Sequence, residues 1–167
     1  IAAPLIMTPH YIASSLDAFP IEFLDFRLIH KTIYGDDLLS DLNIESRHLR
    51  LQAEREIKSK LIWLRQGYLS TMGDKRAIIE NLSKSISGFM PLFRAIIVLY
   101  GEVPPVARID VVNKLQDITK METNIYERVL QIRQKKLKPD SPETDGIFKE
   151  FYHATERLGR LIDEIQI

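Results

Sequence analysis

The amino-acid sequence predicts a mainly α-helical protein: a helical bundle of about five helices preceded by a short α/β remnant of one or two strands. Three observations predict it. Apolar residues recur at three- and four-residue steps through most of residues 45–167. Glycine and proline sit between these amphipathic stretches and cut them into helices of ordinary length. Residues 21–34 differ, being rich in aromatic and β-branched side chains, with Ile21, Phe23 and Asp25 on one side and Glu22, Leu24 and Phe26 on the other.

Taken in order, Thr8-Pro9 is a helix-start signal: the hydroxyl caps free N–H groups, and proline occupies a first-turn position that needs no N–H. A short helix over 9–18 follows, and Pro20 stops it. The alternation over 21–34 predicts a strand, closed by the turn at Gly35-Asp36-Asp37. Such a strand needs a partner for its backbone groups. The first long helix begins near Glu45 and buries Leu49, Ala53, Ile57, Leu61, Leu64 and Tyr68. Its outer face carries Glu54–Lys58 and Glu56–Lys60 in the favourable i, i+4 order, and Gly67 and Gly73 bracket its end. The second helix buries Ile78, Leu82, Ile86, Phe89, Phe93, Ile97 and Tyr100, with a kink expected at Pro91. A third, over 106–119, offers Ile109, Val112, Leu115 and Ile118; a fourth, over 122–136, offers Ile125, Val129 and Ile132. Ser141-Pro142 starts the last, whose stripe is Ile147, Phe151, Leu158 and Ile162. The expected division is residues 1–41 for the remnant and 42–167 for the bundle.

Composition narrows the function. With 45% apolar and 28% charged residues, the chain reads as a soluble globular protein, and no apolar run approaches the roughly 20 residues of a membrane span. Twenty-three basic residues balance 23 acidic ones, so no long-range field gathers nucleic acid. The absence of cysteine excludes disulfides, thiolate catalysis and cysteine zinc sites, and fits a cytoplasmic location. Opening on Ile-Ala-Ala-Pro-Leu-Ile without a leader pattern, the chain reads as a piece of something longer.

Few motifs carry chemistry. Two Glu-x-x-His pairs, Glu45/His48 and Glu150/His153, match half of a di-metal signature, but His153 falls nearly opposite the apolar stripe of its helix. A nucleophile elbow, a phosphate loop and a dinucleotide fingerprint are all missing. Arg133, Lys135, Lys136 and Lys138 form a basic run at a helix C-terminus, where the macrodipole favours cations; a nucleic-acid contact is the sharper alternative. Ser83, Ser85 and Ser87 mark a close helix contact or an exposed face. Glu22 and Asp25 would lie on opposite faces of the strand.

Pro20-Ile21-Glu22-Phe23-Leu24-Asp25-Phe26 resembles the strand that carries the third metal-binding carboxylate of the nucleotidyltransferase fold. Thr32-Ile33-Tyr34-Gly35-Asp36 is similar to the short closing strand of its minimal members. With Met7-Thr8-Pro9, Ser15-Leu16-Asp17 and the stretch from His48 to Glu56, the chain resembles a family of uncharacterised bacterial nucleotidyltransferase-like proteins. In that family a catalytic-type domain precedes a helical bundle. The resemblance implies that Glu22, standing where the common pattern has Asp, is the one catalytic and metal-binding position in this chain. Mg²⁺ and a nucleoside triphosphate would be held mainly by an upstream domain, with the bundle recognising the acceptor and this chain inactive alone. It also implies a partner for the strand, from self-association or a missing N-terminal domain. The alternative is a non-catalytic helical module that binds protein or nucleic acid.

Overall fold

The computed structural model describes residues 4–138 and 141–166, so the expectations attached to Ile1 and to the Ser141 side chain lie outside the described residues. The helices are α1 (Pro9–Ser14), α2 (Pro20–Ile29), α3 (Ser46–Ser70), α4 (Lys75–Ser85), α5 (Met90–Leu99), α6 (Arg108–Thr119), α7 (Asn124–Arg133) and α8 (Thr144–Glu164). Single 3-10 turns, Ile86–Phe89 and Ser141–Glu143, precede α5 and α8. Among the described residues there is no strand. Among the described residues there are more helices than the five or so expected after the short one over 9–18, because residues 20–29 are helical and the expected second helix divides into α4 and α5.

The strand expected over 21–34 is corrected to helix α2 followed by an irregular segment. Pro20 does not only stop the preceding turn; it occupies the first turn of α2, where its missing N–H costs nothing. Ile21, Leu24 and Leu28, at helical steps, then pack into the core. Phe23 and Phe26 meet edge to face with centroids 5.9 Å apart. The alternation was genuine, but burial of neighbouring Phe23 and Leu24 leaves no polar face for a strand. Phe19 supplies no side-chain cap to α2. Gln52 of α3, 5% exposed, caps it instead: its Oε1 accepts the Ile21 N–H at 2.8 Å and its Nε2 donates to Glu22 Oε2 at 2.7 Å. Gln52→Ala should cost about 1–3 kcal/mol, since it leaves a buried N–H without an acceptor. Urea unfolding followed by circular dichroism checks this; a loss below ~0.5 kcal/mol would mean that water replaces the cap.

At its other end α2 is closed by His30. Nδ1 lies 2.9 Å from the Phe26 carbonyl and Nε2 lies 2.9 Å from Asp37 Oδ1, which raises the His30 pKa above its ordinary value. Arg27 donates to the Leu42 carbonyl at 2.7 Å, so the segment between α2 and α3 is tied back at two points.

The core gathers around α5. Met90, Leu92, Phe93, Ala95, Ile96 and Ile97 are all buried, so this helix is apolar almost all round. α3 packs along α8 and α5, α2 lies on α3 and α5, and α6 covers another side of α5. α4 packs on α8 and α7. Four rings close the centre: Phe93 and Tyr126 at 4.8 Å, Tyr126 and Phe151 at 5.1 Å, Phe89 and Phe151 at 5.2 Å between centroids. The stripe expected for the last helix, Ile147, Phe151, Leu158 and Ile162, is fully buried. Ile109 is a correction: it is 39% exposed, whereas Val112 and Leu115 are buried as expected and Val111 is buried with them. The kink expected at Pro91 is the 3-10 turn Ile86–Phe89, with Pro91 in the first turn of α5.

The continuous run Lys75–Leu99 is long and apolar enough, by length and composition, to cross a membrane, which the sequence reading did not anticipate. In the bundle 56% of its most apolar window is buried, the pattern of a core helix.

Candidate functional site

α3 and α4 form a helical hairpin. Gly73, at φ +87°, turns the chain between them, a backbone conformation that side-chain-bearing residues rarely adopt. Asp74 then starts α4, its Oδ1 accepting the Arg76 and Ala77 N–H groups at 2.9 and 3.2 Å. Between the C-terminal half of α3 and α4 lies a groove of about 880 Å³. Leu64, Ile78, Leu82 and Phe89 form its apolar floor. Tyr68 and Phe148 of α8, stacked at 4.3 Å, line it as a pair. Trp63, the single tryptophan of the chain, also lines the groove and is 76% exposed. An indole left this open on an apolar groove is unusual for a residue whose burial contributes so much.

One cation enters this apolar space. The Lys60 side chain is 19% exposed, and its Nζ lies 5.1 Å from the Phe89 ring centroid. The nearest carboxylate, Glu56, is 3.7 Å away, outside hydrogen-bonding range. Gly88 borders the ammonium, and a Cβ there would stand in ordinary contact with it at 3.6 Å. Burial lowers the Lys60 pKa below 10.5, and the charges of Glu56 and Glu22 offset only part of that. The sign follows from proton counting. Between the lowered folded pKa and 10.5 the unfolded chain holds more protons, so stability rises with pH across that window. Lys60→Met should flatten that alkaline rise and leave stability at pH 7 unchanged or higher by about 1 kcal/mol. Unfolding midpoints of both proteins between pH 7 and 10.5 measure the difference; an unaltered slope would place the titration elsewhere.

A second, smaller pocket of about 240 Å³ adjoins the groove, sharing Glu56 and Gly88 with it. Glu22, Asp25 and Glu56 all line this pocket, so the residue singled out by the nucleotidyltransferase resemblance stands beside the groove. Its surroundings do not fit a metal-held nucleoside triphosphate. Glu22 accepts from Gln52, Asp25 is bonded to Arg94 at 2.7 Å, and Glu56 faces Lys60. No group of three or more His, Asp or Glu side chains among the described residues has the arrangement of a metal site.

The other motifs lie apart. His48 sits 3.7 Å from Glu45 at the start of α3, while Glu150 and His153 are exposed and His153 pairs with Glu156. Of the basic run, Arg133 donates to the Ser83 carbonyl at 2.7 Å and the three lysines are exposed. Ser85 lines the groove and donates to the Leu82 carbonyl. Sequence reasoning missed the groove, although one signal was present: Glu56, Ser59, Lys60, Trp63, Gly67 and Ser70 share one stripe of α3, with a tryptophan inside a polar face.

No family model matches the chain, and neither a curated protein nor a solved structure is significantly similar to it.

Proposed function

We propose that this chain is a binding module whose α3–α4 groove takes up the apolar part of a ligand. The observation that carries the reading is Trp63, an exposed indole beside a groove floored by Leu64, Ile78, Leu82 and Phe89. The volume, about 880 Å³, falls within the ~300–1,000 Å³ of small-molecule sites, and its apolar lining with a few polar groups is their usual composition. Under the nucleotidyltransferase resemblance the same groove would serve acceptor recognition, with Mg²⁺ and the triphosphate held on another part of a larger protein. That reading drew its weight from a strand at Glu22, and the helical α2 leaves it without that observation.

The lone tryptophan makes the test direct. Titration with the neutral probe N-phenyl-1-naphthylamine should quench Trp63 by energy transfer and brighten the probe, with micromolar affinity. Gly67 has only Asn81 Nδ2 near a notional Cβ, at 3.9 Å, so Gly67→Leu should fold and fill the groove. Binding by that variant should fall at least ten-fold. Equal binding by both proteins would move the probe to another surface and remove the groove from consideration.

A further inference from the structure

We infer that the groove is built for a small amphipathic carboxylic acid, whose single carboxylate docks on Lys60 Nζ while its apolar body lies toward Trp63 and the Tyr68–Phe148 stack. This rests on the binding-module reading above and names the ligand class. Lys60 has three N–H donors and one loose partner, the Glu56 carboxylate at 3.7 Å, so its donors are not used up within the chain. A half-buried ammonium held only by this long ion pair has donors to spare, and a ligand oxygen at hydrogen-bond distance would satisfy one of them.

The charge of the head group follows from its surroundings. A cationic head would meet Lys60 directly. A dianion such as a phosphate monoester would gain one buried cation yet face Glu56, and Glu22 beyond it. Lys84, the other cation of the lining, is 70% exposed and already paired with Glu80 at 2.6 Å. A monoanion gains the ammonium with the least repulsion. Geometry sets the body. Lys60 and Tyr68 are two helical turns apart on α3, about 12 Å along the axis, and the space between is floored by Leu64 and Phe89. That length suits a medium acyl chain or a pair of fused rings.

The experiment uses the full chain with bound N-phenyl-1-naphthylamine, displaced by decanoate, 1-decanol or decylammonium below their micellar concentrations. Decanoate should displace the probe at concentrations at least ten-fold lower than 1-decanol, with decylammonium weakest. Lys60→Met should bring the decanoate-to-1-decanol ratio to one, whatever it does to 1-decanol itself, and Lys60→Arg should keep the ratio. Equal displacement by all three, or a preference that survives Lys60→Met, would overturn the assignment and leave an unselective apolar groove. Probe affinity that falls as protein concentration rises would overturn it in favour of a second copy of the chain. Absence of probe binding altogether is a different failure, because it removes the binding module itself.

Discussion

Arg94→Ala should lower the stability of the bundle by about 3–5 kcal/mol, the range for removing one partner of a buried ion pair. Arg94 stands on the core helix α5 with its side chain 6% exposed. It donates to Asp25 Oδ1 at 2.7 Å, to the Pro105 carbonyl at 3.2 Å and to the Val106 carbonyl at 2.9 Å. One guanidinium therefore holds α2, α5 and the entry to α6 together. Asp25→Ala should cost a comparable amount for a different reason, since it strands a buried cation that keeps only two carbonyl partners. In the double variant Asp25→Leu/Arg94→Met no charge is left buried, and part of the stability should return. Full recovery is not expected, because the Pro105 and Val106 carbonyls lose their donor. Guanidinium unfolding of the parent, Arg94→Ala, Asp25→Ala and the matching double variant Asp25→Ala/Arg94→Ala gives the coupling energy, and the Asp25→Leu/Arg94→Met protein measures the recovery. A loss under ~1 kcal/mol for Arg94→Ala would mean that water enters and replaces the guanidinium.

Asp25 also shows where sequence reasoning ends. Helices α3 and α8 were legible because Leu49, Ala53 and Ile57, and Ile147, Phe151, Leu158 and Ile162, repeat at helical steps and are buried as that period requires. α2 was not legible. Its six residues from Ile21 to Phe26 alternate well enough to satisfy a strand, and the two facts that decide for helix are distant in sequence. One is the cap from Gln52, 31 residues away; the other is the Asp25–Arg94 bond, across 69 residues. Only tertiary packing brings those groups together, and it overrides local propensity. Lys60 failed in the opposite sense. Its pairing with Glu56 on a polar face was foreseen, but α4 folds back over that face and turns an outer stripe into the wall of a groove. Nothing in the local spacing separates a solvated ion pair from one that lines a cavity. The site was thus present in the sequence as an oddly placed tryptophan and no more.

Phe151→Ala should be as costly as the loss of Arg94, about 3–5 kcal/mol, because it empties a fully buried aromatic site that the surrounding helices cannot refill. Phe151 is 0% exposed and meets Phe89 and Tyr126 edge to face, at 83° and 86° between ring planes. Those contacts join α8 to α7 and to the 3-10 turn ahead of α5, so the cavity would open where three segments meet. Tyr126→Phe is the internal control. Its hydroxyl lies a long 3.4 Å from Thr155 Oγ1, which already donates to the Phe151 carbonyl at 2.8 Å. Burial pushes the Tyr126 phenol up, so the ring is neutral throughout the working range and loses only a weak hydrogen bond on substitution. That variant should fall within about 1 kcal/mol of the parent. Phe89 extends the consequence to function, since the same ring packs on Phe151 and floors the groove beneath Lys60. Phe151→Ala frees one side of that ring. Where the variant is still folded, the Trp63 probe response should weaken several-fold although position 151 does not line the groove. Thermal unfolding followed at 222 nm and by Trp63 emission should give one midpoint for each protein if core and groove are a single cooperative unit. Separate midpoints in Phe151→Ala, with emission changing first, would instead make the α3–α4 hairpin a local unit that opens on its own.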